Sequence, residues 1–295
     1  MMTPLKVYRS WNLYWFGPIS AYPLALFRIF LGIYLLWYFL TYVRVITLVF
    51  SRDGIYMPFL IPDIAPSPAV ATLIYASTLV CILVFMLGYR TRIFTPLVLV
   101  GFFYHYLLNI AVQCTSYDRL IIGVLIILCF AELDRVWSLS ARSRPHDNDA
   151  DPVITAWAQR FICVLVSFIY FGMSIFKIYD FKWCTGYMLE TNLNCEWATP
   201  LAFWVVNLDF PPVFYTGLSW AAIILEFVLS IGLWIRRFQA YIFFAGFLFH
   251  LFIAAFLNIP EFLFLPTSYV LYMDPDRVRR WGDAAWRTLG VKSSA

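Results

Sequence analysis

Lys177 stands near the end of a strongly apolar run that begins near Phe161, within the stretch YFGMSIFKIYDFKWCTGY from Tyr170 to Tyr187. A lysine in that place can snorkel to the membrane interface, pair with an acid, or serve as a base. Snorkelling is the commonest of the three, so a chemical role has to be argued from the other polar residues. Within or beside apolar stretches these are Arg28, His105, Asp118, Glu226 and His250. Hydrocarbon cannot solvate such groups, so they should face the interior of a helix bundle. Glu226 falls in mid-span, and Arg28 is its expected structural counter-charge. His105 reads as a hydrogen-bonded core histidine. His250 follows the featureless IFFAGFLF, and a structural and a functional reading weigh equally there.

The chain has no P-loop, no GxGxxG after a strand, no HExxH and no GxSxG. Its six cysteines form no CxxC and no His/Cys cluster at ligand spacing, so no metal is expected. Cys81, Cys129 and Cys163 fall within spans as packing residues. Cys184 and Cys195 share one loop close to Lys177, and in an oxidising compartment they could form a disulfide.

The elements that must position these groups are membrane helices. Of 295 residues, 62% are hydrophobic, 20% aromatic and only 13% charged, a surface that water could not solvate. The fold class expected is all-α: one polytopic bundle of about eight transmembrane helices over residues 1–275, then an amphipathic basic tail over 276–295. The spans read as 21–50, 69–87, 93–112, 120–130, 154–176, 213–235, 238–257 and 262–273, the fourth and eighth being short. Residues 133–152 are the most hydrophilic stretch and the clearest internal linker. In the tail, Val278, Trp281, Ala285 and Leu289 share a helical face opposite arginines, as in a helix lying on an anionic leaflet.

Charge gives the orientation. Lys6, Arg9, Arg90, Arg92, Arg135, Arg142, Arg144, Arg236, Arg237 and the tail residues fall on one side, against Arg52, Arg119, Lys177 and Lys182 on the other. Both termini are therefore expected in the cytoplasm, with Lys177 facing outside. A net charge of +4, sorted by membrane side, excludes a nucleic-acid partner.

Six segments in order, LALFRIFLG (24–32), LGYRTR (87–92), LDRVWSLS (133–140), FKIYDFKWCTGY (176–187), LEFVLSIGLWIRR (225–237) and FLFHLFIAAFLNIP (248–260), resemble the HTTM family, the membrane domain shared with vitamin K-dependent gamma-carboxylases. The resemblance runs from about residue 20 to 275. It implies a bacterial inner-membrane protein whose active site faces the periplasm or exterior. It further implies that Lys177, followed by Asp180, Trp183 and Tyr187, corresponds to the lysine that deprotonates reduced vitamin K, and that His250 lines the same pocket. Reduced vitamin K or another quinol is the implied cofactor. Such a compound is a weak acid soluble in lipid, and a base facing the bundle interior could reach it.

The chain also departs from the carboxylase pattern. Where those enzymes carry a histidine before a span, this chain has Tyr117 and Asp118. Tyr117 can orient a substrate by a hydrogen bond but cannot shuttle protons as imidazole does. Asp118 is placed to pair with Arg119 or Lys177. The chain ends soon after its last span, so the large lumenal part that docks substrate proteins is not expected. Three functions follow: an enzyme with Lys177 as base and His250 and Tyr117 orienting its substrate; a membrane component of antimicrobial-peptide maturation or immunity, with a peptide in the cavity; and a non-catalytic lipid- or quinone-binding bundle. Membrane lipids are partners in all three. The cavity is expected at the ends of spans four, five and seven.

Overall fold

The computed structural model describes residues 4–55, 57–59, 64–109, 116–143 and 152–288. Among them the chain is helical apart from one short antiparallel pair, β1 (Pro18–Ser20) with β2 (Val153–Thr155), in which Pro18 lies opposite Thr155. It divides into two compact units, residues 1–160 with 274–295, and residues 161–273.

The first unit contains α1 (Pro4–Phe16), α2 (Tyr22–Thr41), α3 (Ile46–Phe50), α4 (Pro68–Met86), α5 (Thr91–Leu108), α6 (Ser116–Cys129) and α7 (Leu139–Arg142). Prolines open α2 and α4 where a missing amide proton costs nothing. Two glycines set how closely the helices pack. A Cβ on Gly32 would lie 2.5 Å from Met86 Cβ, and one on Gly101 would lie 2.7 Å from Thr78 Oγ1. Such small residues let backbones approach where no hydrophobic effect drives association. His105 lies in this core among Phe39, Phe50 and Tyr75, bonded through Nδ1 to the Gly101 carbonyl at 2.7 Å.

Arg28 is fully buried, and its role differs from the expected counter-charge to Glu226. Its guanidinium donates to the carbonyls of Met86 (3.3 Å), Leu133 and Trp137, clamping the end of α4 to the segment after α6. Gly88, at φ +71°, leaves room for it, since a Cβ there would come within 2.8 Å of the guanidinium. A planar fork of donors suits several carbonyls at once, and this explains how an arginine can sit buried in a span. The C-terminal helix α15 (Pro275–Thr288) packs beside α2: Val278 is fully buried, Arg279 lies over Tyr22, and Trp281 stays exposed. Leu289 and the linker residues 144–151 lie outside the described residues.

The second unit takes α8 (Trp157–Tyr179) from Phe161 onward, three short outer helices, α9 (Phe181–Cys184), α10 (Tyr187–Leu193) and α11 (Pro200–Val206), then α12 (Pro212–Gly232) and α13 (Gln239–Leu257). After these, 3₁₀ turns at Pro260–Leu263 and Ser268–Tyr272 flank α14 (Phe264–Thr267).

Six helices among the described residues, α2, α4, α5, α8, α12 and α13, are long and apolar enough to cross a membrane. The two short spans expected from sequence differ. The fourth is α6, whose described part, Ser116–Cys129, reaches about 21 Å at 1.5 Å per residue. The eighth is no single helix but the three short turns between Pro260 and Tyr272. Phe264, Leu265, Tyr269, Val270 and Leu271 are buried in protein, so that apolar run answers to a core and not to lipid.

Candidate functional site

The sequence of α8 builds the site. Cys163, Val166, Tyr170, Ser174 and Lys177 recur at three- and four-residue steps and are all buried, forming one stripe along the helix. On α12 the same spacing aligns Ser219, Ile223, Glu226 and Ser230. At the end of the α8 stripe, Lys177 Nζ lies 2.5 Å from Glu226 Oε1. Both side chains are below 10% exposed, at 7% and 4%. The acid that partners Lys177 is thus Glu226, in place of the expected Arg28–Glu226 pair.

The ring of Trp183 covers the amine at 4.8 Å. Its position follows from the WCTG segment being stapled to α12. Ser219 Oγ donates to the Trp183 carbonyl (2.6 Å), Trp220 Nε1 to that of Cys184 (3.1 Å), and Thr216 Oγ1 to that of Thr185 (2.7 Å). Gly186, at φ +82°, completes the contact, because a Cβ there would lie 2.4 Å from the Thr216 nitrogen.

His250, on α13, is buried, and its Nε2 shares a 2.7 Å hydrogen bond with Tyr170 Oη. Tyr170 Oη in turn meets Tyr269 Oη at 2.6 Å. Tyr170 stands two turns before Lys177 on the same buried face of α8, which sets His250 farther along the stripe that ends at the Lys177–Glu226 pair. Two buried polar atoms here have no hydrogen-bond partner: Glu226 Oε2 and His250 Nδ1. Buried polar atoms are rarely left so, and each leaves an open valence for a ligand hydroxyl or water.

The second unit therefore brings together Lys177, Trp183, Glu226 and His250. Asp180 caps α9 by accepting from the Lys182 amide at 3.1 Å, and Tyr187 is exposed at the start of α10. Tyr117 and Asp118 belong to the first unit, where both are buried and Asp118 accepts from Tyr38 Oη at 2.9 Å. Cys184 and Cys195 are free thiols, each directed at a backbone carbonyl: Cys184 Sγ lies 3.3 Å from Ile178 O and Cys195 Sγ 3.1 Å from Asn192 O. Among the described residues no group of three His, Cys, Asp or Glu side chains could hold a metal ion.

Sequence reasoning missed Tyr170 and Tyr269. Tyr170 carried a signal, since it precedes Lys177 by seven residues, two turns along the same face. Tyr269 carried none, lying in the run taken for an eighth span.

No curated protein and no solved structure matches the chain. The HTTM domain matches residues 16–276, nearly its whole length. With six long apolar helices among the described residues, this is an integral membrane protein, and it belongs to the HTTM domain family.

Proposed function

We propose that the protein is a carboxylase-like membrane enzyme in which Lys177, with Glu226, takes a proton from a quinol or another weakly acidic, lipid-soluble substrate at the outer face of a bacterial inner membrane. The observation that carries this reading is the buried Lys177–Glu226 pair beneath the Trp183 ring.

A reduced quinone would supply a weakly acidic hydroxyl, and the open valences of this chain suit one. Glu226 Oε2 is a buried acceptor awaiting a donor, and His250 Nδ1 can donate or accept according to its tautomer. Lys177 and Glu226 hold one ionisable proton between them, with no net charge, whether it rests on Nζ or on Oε1. With the shared proton on Oε1, the neutral Nζ is the base: as Oε2 takes the substrate proton, Oε1 passes its own to Nζ, and the pair gains one positive charge, opposite to that left on the deprotonated hydroxyl. Trp183 screens the pair from water and favours the cationic form through its ring face. Tyr170 holds His250 at Nε2, so Nδ1 is the nitrogen left for the substrate.

The test is oxygen uptake and epoxide formation by the purified chain supplied with a reduced naphthoquinone, beside Lys177→Arg. The substitution keeps the charge but cannot release its proton. Turnover by the native chain and none by the folded variant is expected. Equal turnover in both, or none by the native chain, overturns the proposal.

A further inference from the structure

The first unit carries another polar site, which the proposed chemistry does not use. The start of α5 and the segment from Ala131 to Ser143 enclose an open cavity of ≈ 710 Å³, whose lining includes Arg90, Arg92, Glu132, Asp134, Arg135 and Ser140. Its charges do not cancel. Arg135 is bound to Glu132, with Nε 2.8 Å from the carboxylate, and Asp134 faces the charge of Arg28. Arg90 and Arg92 are exposed, and among the described residues no carboxylate pairs with either. Two guanidinium groups are left to attract an anion.

The backbone adds to this. The helix α5 begins in the cavity wall with no side-chain cap; the Arg90 carbonyl takes the Ile93 amide at 2.8 Å, and only the amides of Thr91 and Arg92, ahead of it, face the helix end. Arg90 itself is left-handed at φ 43°, and Ser140 Oγ accepts from its amide at 2.9 Å. A non-glycine residue keeps that conformation only where its surroundings fix it, so the direction in which the Arg90 side chain leaves the backbone is preset.

The cavity also opens onto an exposed apolar face of α5. Ile93 lines it, and Leu97 and Val100 continue the same face of α5; the three are 52%, 45% and 64% exposed. We propose that this cavity binds the phosphate headgroup of an anionic membrane lipid, with Arg90 and Arg92 on the phosphate and an acyl chain along Ile93, Leu97 and Val100. A free phosphate would satisfy the arginines equally but would leave the apolar stripe unused.

Native mass spectrometry of the purified full chain tests this, by titration with phosphatidylglycerol and with phosphatidylcholine, with and without excess inorganic phosphate. The native chain should hold phosphatidylglycerol in preference to phosphatidylcholine, and inorganic phosphate should not displace it. Arg90→Gln with Arg92→Gln should weaken binding about thirtyfold, the loss of two cations near the surface. If that variant does not fold, Arg90→Lys with Arg92→Lys keeps both charges but not the paired donors, and it should bind several-fold more weakly. Undiminished binding in the folded glutamine variant, or in the lysine variant where it stands in, overturns the site, and displacement by inorganic phosphate overturns the lipid as its ligand. Both arginines belong to the first unit and Lys177 to the second, so these outcomes are independent of the proposed enzymatic function.

Discussion

Lys177 and Glu226, 49 residues apart in sequence, meet at 2.5 Å in the interior of the second unit. Such a pair is stable as a pair and not as two halves. Removing either partner leaves an uncompensated buried charge, at a cost of about 3–5 kcal/mol, whereas replacing both with neutral groups of similar shape is near neutral. Lys177→Met and Glu226→Gln should therefore each lower the melting temperature in detergent, and the double variant should recover most of the loss. Additive losses would show that the two side chains are not coupled.

Gly186→Ala tests the staple that holds Trp183. A Cβ there meets the Thr216 backbone, and the left-handed φ adds strain. The expected destabilisation is at least about 1 kcal/mol. Tryptophan fluorescence should also change, because Trp183 can no longer rest on Lys177. An unchanged spectrum and melt would mean that the segment can shift freely.

Tyr170→Phe removes one hydroxyl and leaves both His250 nitrogens without partners. The cost should be about 1–3 kcal/mol, as for a buried group left unsatisfied. Tyr269→Phe keeps the Tyr170–His250 bond and should cost less. The order of the two melting temperatures checks it.

Arg28→Lys keeps the charge but exchanges a planar fork for a point charge that cannot span three carbonyls. A loss of roughly 2–4 kcal/mol is expected, from lost hydrogen bonds and buried carbonyls left bare. Thermal unfolding of the purified variant measures it, and a native-like melt would show that the clamp is dispensable.

Cys184 and Cys195 should both react with an alkylating agent without prior reduction, once the protein is unfolded. A mass increase at these two positions only after reduction would show a disulfide instead.

The membrane class and most spans were legible because long apolar runs with few charges have one physical solution. Span eight was misread because hydropathy cannot tell a residue buried against protein from one facing lipid; Phe264 and Tyr269 are of the first kind. The partners of charged residues were the least legible. Arg28 and Glu226 suggested a pair by opposite sign alone, yet backbone carbonyls satisfy Arg28, and carbonyls leave no mark in a sequence. Lys177, Trp183 and His250 were marked by residue type, and the WCTG segment shows its purpose only when the α12 hydroxyls that grip it are seen.

The wide sequence separation of the Lys177–Glu226 pair has a consequence for biogenesis. At roughly 5–20 residues per second, the ribosome needs about 2.5–10 s to advance the 49 residues from one to the other. During that interval α8 carries its ammonium without the carboxylate that will neutralise it. Placement near the end of α8 lets the amine reach the headgroups while it waits. The second unit can close around the pair only after α12 has been synthesised, which makes the arrival of Glu226 a checkpoint in membrane assembly.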